Sequence, residues 1–393
     1  MTSHLQGFPS SAPLHLTKQR CLSTRTLAKR PSKVSDEDLD QFKQLLKLSK
    51  IGPETYENQV ANTKDYRGFG RKTEARINSY PNFTTQIEED GFTFNVHFIA
   101  LYSQKPDAVP LLLLHGWPGS FLEFLGTLDI LREKYKPEDL PFHVIVPSLP
   151  GYGYTNGPRL DKDFDIEGAA RVLDKLMIGL GFGDGYISQG GDIGSFLTRV
   201  IAVTSDSCKA AHIHWCIGQQ GDTANLTNAE KKGVERCIDF ATLGNSYARE
   251  HGNRPATIGL VLSSSPTALL TWVGEKHQQW THETPPIGDI LDSATLYWFT
   301  EFFPRAIYPY RQFFGANPTF FHNEPQWYIK KPLGYSWHPE ELSPVPRDWV
   351  AQTGNLVWYR GHKQGGQFAA WELPATFVKG MEDFVAEVWP KAK

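Results

Sequence analysis

Tyr186-Ile187-Ser188-Gln189-Gly190-Gly191-Asp192-Ile193-Gly194-Ser195 is the stretch on which the reading of the fold turns. Apolar residues lead in, two glycines precede the acid, a third glycine follows it, and Phe196-Leu197-Thr198-Arg199-Val200-Ile201 can continue as a helix. A strand, a sharp turn and a helix in that order form a nucleophile elbow, here with a carboxylate where serine is usual. The glycines permit the strained turn. A carboxylate in that place attacks a saturated carbon and forms an ester. The same residues also read as an ordinary strand-to-helix loop in which Asp192 is the N-cap.

Upstream, Pro110-Leu111-Leu112-Leu113-Leu114 reads as a short buried strand. It runs directly into His115-Gly116-Trp117-Pro118-Gly119-Ser120, a loop of the kind that gives a backbone N–H to an oxyanion hole. With both elements in order, the chain resembles the epoxide hydrolases of the α/β-hydrolase fold, in their microsomal-type branch with its soluble fungal members. Further matching motifs are Val146-Pro147-Ser148-Leu149-Pro150-Gly151-Tyr152-Gly153, Arg254-Pro255-Ala256-Thr257-Ile258-Gly259, Leu262-Ser263-Ser264-Ser265-Pro266 and Phe303-Pro304-Arg305-Ala306-Ile307. The resemblance covers nearly all of residues 78–393.

The resemblance implies a nucleophilic Asp192 that opens an oxirane to an alkyl-enzyme ester, with the N–H groups of Trp117 and Ile193 as oxyanion donors. It places two lid tyrosines at Tyr247 and Tyr310 to hydrogen-bond the epoxide oxygen, with Tyr308 as a confusable neighbour. A phenol of pKa about 10 donates strongly while staying neutral. The acid that would orient a water-activating histidine maps to Glu341. The histidine itself is missing. Relatives read Gly-Gly-His-Phe-Ala-Ala, and this chain reads Gly365-Gly366-Gln367-Phe368-Ala369-Ala370. An amide is not a usable base in water, and general base catalysis is worth about 10²- to 10⁴-fold. Hydrolysis of an ester is therefore expected to slow unless another base serves, with His362 and His338 the nearby candidates. A His-to-Gln exchange is also the edit that traps a covalent intermediate.

Composition bounds the rest. Within 393 residues, a hydrophobic content of 40% with eleven tryptophans supplies a large core, and 13% aromatic residues suit an apolar pocket as well as packing. A formal net charge of −3 gives no electrostatic case for nucleic acid or an anionic membrane surface. Cys21, Cys208, Cys216 and Cys237 show neither a C-x-x-C pair nor a disulfide framework, so free thiols and no zinc are expected. No phosphate-binding glycine motif is complete, and Gly179 to Gly185 reads as the turn before the elbow. No cofactor is called for. Apolar runs are shorter than a membrane span, which with the lack of the microsomal anchor leads to the expectation of a cytoplasmic protein. The basic, Ser/Thr-rich residues 1–33 resemble a mitochondrial transit peptide, which is the alternative. A homodimer is implied by the family alone.

The sequence divides into the basic arm 1–33, expected to be disordered, an N-terminal meander 34–90, a first core part 91–218, a helical lid 219–326 and a second core part 327–393. The meander opens with an amphipathic helix capped by Ser35, with Asp38 three residues on and Phe42, Leu45, Leu46 and Leu48 as its apolar positions. Relatives carry a Trp-rich helix where Tyr66-Arg67-Gly68-Phe69-Gly70 stands here. Phe92–Leu101, Pro110–Leu114, Phe142–Pro147, Tyr186–Gln189, Ala210–Trp215 and Asn355–Tyr359 read as strands of one mostly parallel sheet flanked by helices. In the lid, Tyr297, Trp298, Phe302 and Phe303 are spaced as a helical core that also walls the substrate.

Three functions compete on this evidence. The first is hydrolysis of a lipophilic epoxide to a vicinal diol. A second is intramolecular epoxide opening, giving a cyclised or isomerised product. A third is a catalytically silent binding protein that keeps the apolar pocket.

Overall fold

The computed structural model describes residues 28–29, 33–48, 72–217, 221–316 and 318–392. Its centre is a nine-stranded sheet in the order β1-β2-β3-β5-β4-β6-β7-β8-β9. The strands are β1 (Ala28–Lys29), β2 (Asn82–Glu89), β3 (Phe92–Leu101), β4 (Val109–Leu114), β5 (Phe142–Pro147), β6 (Tyr186–Gly190), β7 (Cys208–Ile213), β8 (Ile329–Trp337) and β9 (Gly354–Gly361). β1, β2 and β3 pair antiparallel and β3 joins β5 antiparallel. From β5 through β4, β6, β7 and β8 to β9 every pairing is parallel. This is the α/β-hydrolase fold.

The parallel strands are buried along their length because helices cover them. Val109–Leu114 and Phe142–Pro147 are buried at every position, which is why both were readable as continuous apolar runs. The helices Ile166–Met177 and Asp192–Thr204 pack together, as do Leu125–Lys134 and Pro374–Ala392. Arg199 fastens the second of these helices. Its fully buried guanidinium donates to the carbonyls of Trp327 and Thr353 and to the Thr353 hydroxyl. The helix that begins at the elbow is thereby tied to the start of β8 and β9.

Three strands escaped the sequence reading. β8 opens on Ile329-Lys330-Lys331-Pro332, whose charges and proline mask a strand, and its pairing to β9 shifts register there. β2 has only Phe83 and Ile87 as apolar residues, and it pairs between two strands near the sheet edge. The arm expected to be disordered contributes β1, with Ala28 paired to Thr84 and Lys29 to Phe83. The rest of that arm, Cys21 and the Tyr66–Gly70 motif lie outside the described residues.

The helix Asp36–Leu48 is capped as expected, the Ser35 hydroxyl accepting the Asp38 N–H at 3.0 Å. Its apolar face is narrower than the sequence reading held. Phe42 alone is buried, against Trp298 and Phe299, while Leu45, Leu46 and Leu48 are exposed. Between β7 and β8 the described residues form helices and turns from Asn228 to Phe314 with no strand. Tyr297 and Phe302 meet at 3.8 Å between ring centroids, and both are fully buried with Phe303. Among the described residues no single helix is long and apolar enough to cross a membrane.

Candidate active site

β6 ends at Gly190, Gly191 is extended at φ −115°, and Asp192 turns left-handed at φ +47° as the first residue of its helix. A non-glycine residue held in that region stores strain of order 1–3 kcal/mol and marks a constrained site. The close fit shows why glycines surround it. A Cβ on Gly190 would lie 2.1 Å from the carbonyl oxygen of Gly194, and one on Gly194 would lie 2.3 Å from that of Leu114. Asp192 is not an N-cap, since Gly191 occupies that position. The carboxylate instead turns to the loop after β4 and accepts the Trp117 N–H at 2.8 Å.

Burial raises the Asp192 carboxyl to about 6, against the lowering effect of the N–H groups of Trp117 and Ile193 and the side chain of Gln367. These two backbone donors are the ones named from the sequence, and both meet the same carboxyl. Neutral pH leaves it ionised, desolvated and held by three donors.

The lid closes over this carboxylate with aromatic rings. Tyr247 stacks on the Trp117 indole at 5.0 Å, and Tyr310 stands edge-on to the same indole at 5.9 Å and to Tyr247 at 5.8 Å. Both phenols are buried, which pushes each well above 10, and the Asp192 charge adds to the effect. The Tyr310 hydroxyl is buried, and it and the Tyr247 hydroxyl act on each other's proton. Tyr308 is separated from this group and packs on Phe164 instead. Trp280 and Phe303 complete the apolar wall around Trp117.

At the C-terminal ends of β8 and β9 two loops run side by side. A parallel bridge between Glu340 and Gly366 joins them, one residue before Glu341 and Gln367. The main chain around Gln367 is fixed at three points. Its own N–H donates to the Trp280 carbonyl at 3.0 Å, and the N–H groups of Gly366 and Phe368 each donate to Glu372 Oε1 at 3.1 Å. Glu341 is fully buried, with Oε1 accepting the Leu342 N–H at 2.7 Å and Oε2 lacking a partner. Burial holds its carboxyl well above the usual carboxylate range, with the Asp192 and Glu372 charges adding. Gln367 is buried too, and its Oε1 has no partner.

His338 and His362 do not reach this corner. They stack on each other at 4.4 Å beside a separate small cavity, and His338 Nδ1 is held by the Gln364 carbonyl at 3.1 Å. The sequence reading missed His214, which does line the pocket with Asp192, Gln367 and Glu123. A Cβ on Gly191 would lie 1.8 Å from its Nε2, and its Nδ1 lies 3.1 Å from Gln189 Nε2. Its only sequence signal is its place directly after β7, the strand beside the elbow strand. Glu123, pushed well up by burial and then by Asp192, was missed as well. So was Lys276, a buried ammonium 5.3 Å from the Tyr247 ring centroid. Cys208, Cys216 and Cys237 are free thiols. Among the described residues no group of three or more His, Cys, Asp or Glu side chains is arranged to hold a metal.

A buried carboxylate on a strained turn, backbone donors on its oxygens and two buried phenols nearby are groups able to open a strained ring by covalent attack. Comparison with known proteins gives the family. The family model for the epoxide hydrolase N terminus matches residues 28–124, and that for the alpha/beta hydrolase fold matches residues 109–214. The solved epoxide hydrolase of Aspergillus niger is 46% identical, superposes with a TM-score of 0.87, and is matched over 98% of this chain and 100% of its own. Epoxide hydrolase 1 of Oryctolagus cuniculus is 27% identical over 91% of this chain and 89% of its own length. The juvenile hormone epoxide hydrolase of Bombyx mori, at 22% identity, shares the fold with a TM-score of 0.78. The chain belongs to the epoxide hydrolases of the α/β-hydrolase fold.

Proposed function

We propose that the chain opens a lipophilic epoxide by attack of Asp192 on a ring carbon and releases a vicinal diol by hydrolysis of the resulting ester. The observation that carries this reading is the Asp192 carboxylate, held at φ +47° on its turn and bound by the Trp117 N–H at 2.8 Å. One carboxylate oxygen forms the new C–O bond as the oxirane C–O bond breaks. Tyr247 and Tyr310 donate to the departing oxygen, and a proton from one of them neutralises the alkoxide. In the second half-reaction the N–H groups of Trp117 and Ile193 stabilise the tetrahedral oxyanion, a contribution of about 10² to 10³ per donor. The aromatic wall of Trp117, Trp280 and Phe303 supports an apolar substrate.

Gln367 is the point at which the second half-reaction is weakened. Its side chain favours the ionised Asp192 and so assists capture, but it cannot accept a proton from water. Loss of that base slows ester breakdown by roughly 10²- to 10⁴-fold relative to a histidine at the same place. The test is intact mass over time after mixing with styrene oxide, beside the Gln367→His protein. A one-substrate adduct on Asp192 that breaks down faster with histidine is the expected result. Absence of both adduct and diol in either protein would remove styrene-type epoxides from the reading.

A further inference from the structure

Glu341 and Gln367 each present one buried oxygen that no described group satisfies, and their loops are bridged one residue earlier, at Glu340 and Gly366. Leaving a buried acceptor unmade costs about 1–3 kcal/mol. Once Glu341 is ionised both orphans are acceptors. Neither can then answer the other unless a donor lies between them, and a water molecule carries two donors.

Resting on the epoxide-hydrolase reading above, we infer that Glu341 is the general base of this enzyme, taking the proton directly from a water that the Gln367 amide oxygen helps to hold. Gln367 is then a positioning residue for the water, its backbone fixed by Trp280 and Glu372. The water oxygen attacks the carbonyl carbon of the Asp192 ester, and one of its protons passes to Glu341 Oε2. The tetrahedral oxyanion collapses with cleavage of the bond to the alkyl oxygen, which takes the remaining hydroxyl proton and leaves as the diol. Asp192 is restored as a carboxylate; Glu341, which passed its resting proton to the tyrosinate formed on ring opening, holds the water proton and so ends protonated as it began.

The electrostatics favour this timing. Charged and titratable groups around Glu341 are Asp192, Glu123 and Glu372 from the core, Arg236 and Cys237 from the lid helix 228–239, Tyr335 from β8 and Tyr247 from the lid. Arg236 is the cation, and it donates to the main-chain carbonyl of Glu341 at 2.6 Å. Desolvation is the largest influence holding Glu341 protonated, and the Asp192 charge adds to it. Esterification of Asp192 removes that neighbouring charge. Glu341 therefore loses its proton more readily in the covalent intermediate, when a base is needed.

The experiment follows formation and decay of the styrene oxide adduct separately, by quenched-flow intact mass across pH 5 to 9. It compares the unchanged protein with Glu341→Gln, His214→Asn and Gln367→His. With Glu341→Gln, adduct formation is expected within a few-fold of the parent, which shows that the pocket is folded. Its decay is expected to fall about 10²-fold or more, with the pH dependence of decay lost. In the parent, decay rises with pH through an inflection above the ordinary carboxylate range, and Gln367→His replaces that inflection with one in the histidine range. Decay that is unchanged in Glu341→Gln overturns the assignment, as does decay lost in His214→Asn but kept in Glu341→Gln. An adduct with Glu341-independent decay overturns only this inference. Absence of both adduct and diol in every variant overturns the epoxide-opening reading for styrene-type epoxides and this inference with it.

Discussion

The turn around Asp192 and the corner around Gln367 belong to one pocket, yet they differ in how completely their polar groups are satisfied. At the turn, each donor aimed at the carboxylate meets it, and strain at φ +47° fixes its direction. At the corner, two buried oxygens, Glu341 Oε2 and Gln367 Oε1, have no described donor. On the proposed reaction, capture of a substrate by Asp192 is pre-organised, while release of the product depends on this unsatisfied corner. The contrast teaches that two half-reactions of one site can be tuned separately, because each draws on a different set of loops.

Removing the carboxylate tests the turn most severely. Asp192→Ala is expected to abolish adduct and diol altogether, read by intact mass and product chromatography, and a diol still formed at the parental rate would break the comparison. Restoring the imaginary partner of the corner comes next. Gln367→His should speed ester breakdown by about 10²- to 10⁴-fold while changing adduct formation little, as followed in a single turnover. Tyr310→Phe should slow ring opening by about 10²-fold, by analogy with loss of one transition-state donor, and leave ester breakdown within a few-fold.

Two smaller effects concern the Asp192 proton. Its folded pKa of about 6 lies above the unfolded value, so the ionised carboxylate costs stability. That cost is absent below about pH 4, where both states are protonated, and complete above about pH 6. Asp192→Asn is thus expected to gain up to roughly 3 kcal/mol at pH 8 relative to pH 4, measured by denaturant unfolding at the two values. A gain equal at both pH values would show that the carboxylate is not desolvated at a cost. Adduct formation should fall about tenfold per pH unit below about 6, and a rate flat down to pH 4.5 would place the nucleophile's pKa in the ordinary range.

Much of the turn was legible because local residues dictate it. Three glycines bracket Asp192, and each admits a contact that a side chain would block. The leucines of β4 are buried on both faces and read as a strand without a neighbour to consult. The corner was legible only through resemblance, since Glu341 and Gln367 come from different loops and are joined by one bridge after the strands. His214 carried no local signal. Its meeting with Gly191 follows from β7 lying next to β6, with Gly190 opposite Ile213, and that pairing is a property of the sheet. β8 failed for a further reason. Lys330, Lys331 and Pro332 are tolerated where the strand shifts its register, and the same residues disguise a strand in the sequence.

Trp117 meets both halves of the pocket at once. Its main chain binds the nucleophile and its indole carries the ring of Tyr247. On the proposed reaction the core supplies the attacking group and the lid the electrophilic assistance, so this one indole works as a coincidence detector, making the activation of an epoxide conditional on both surfaces meeting.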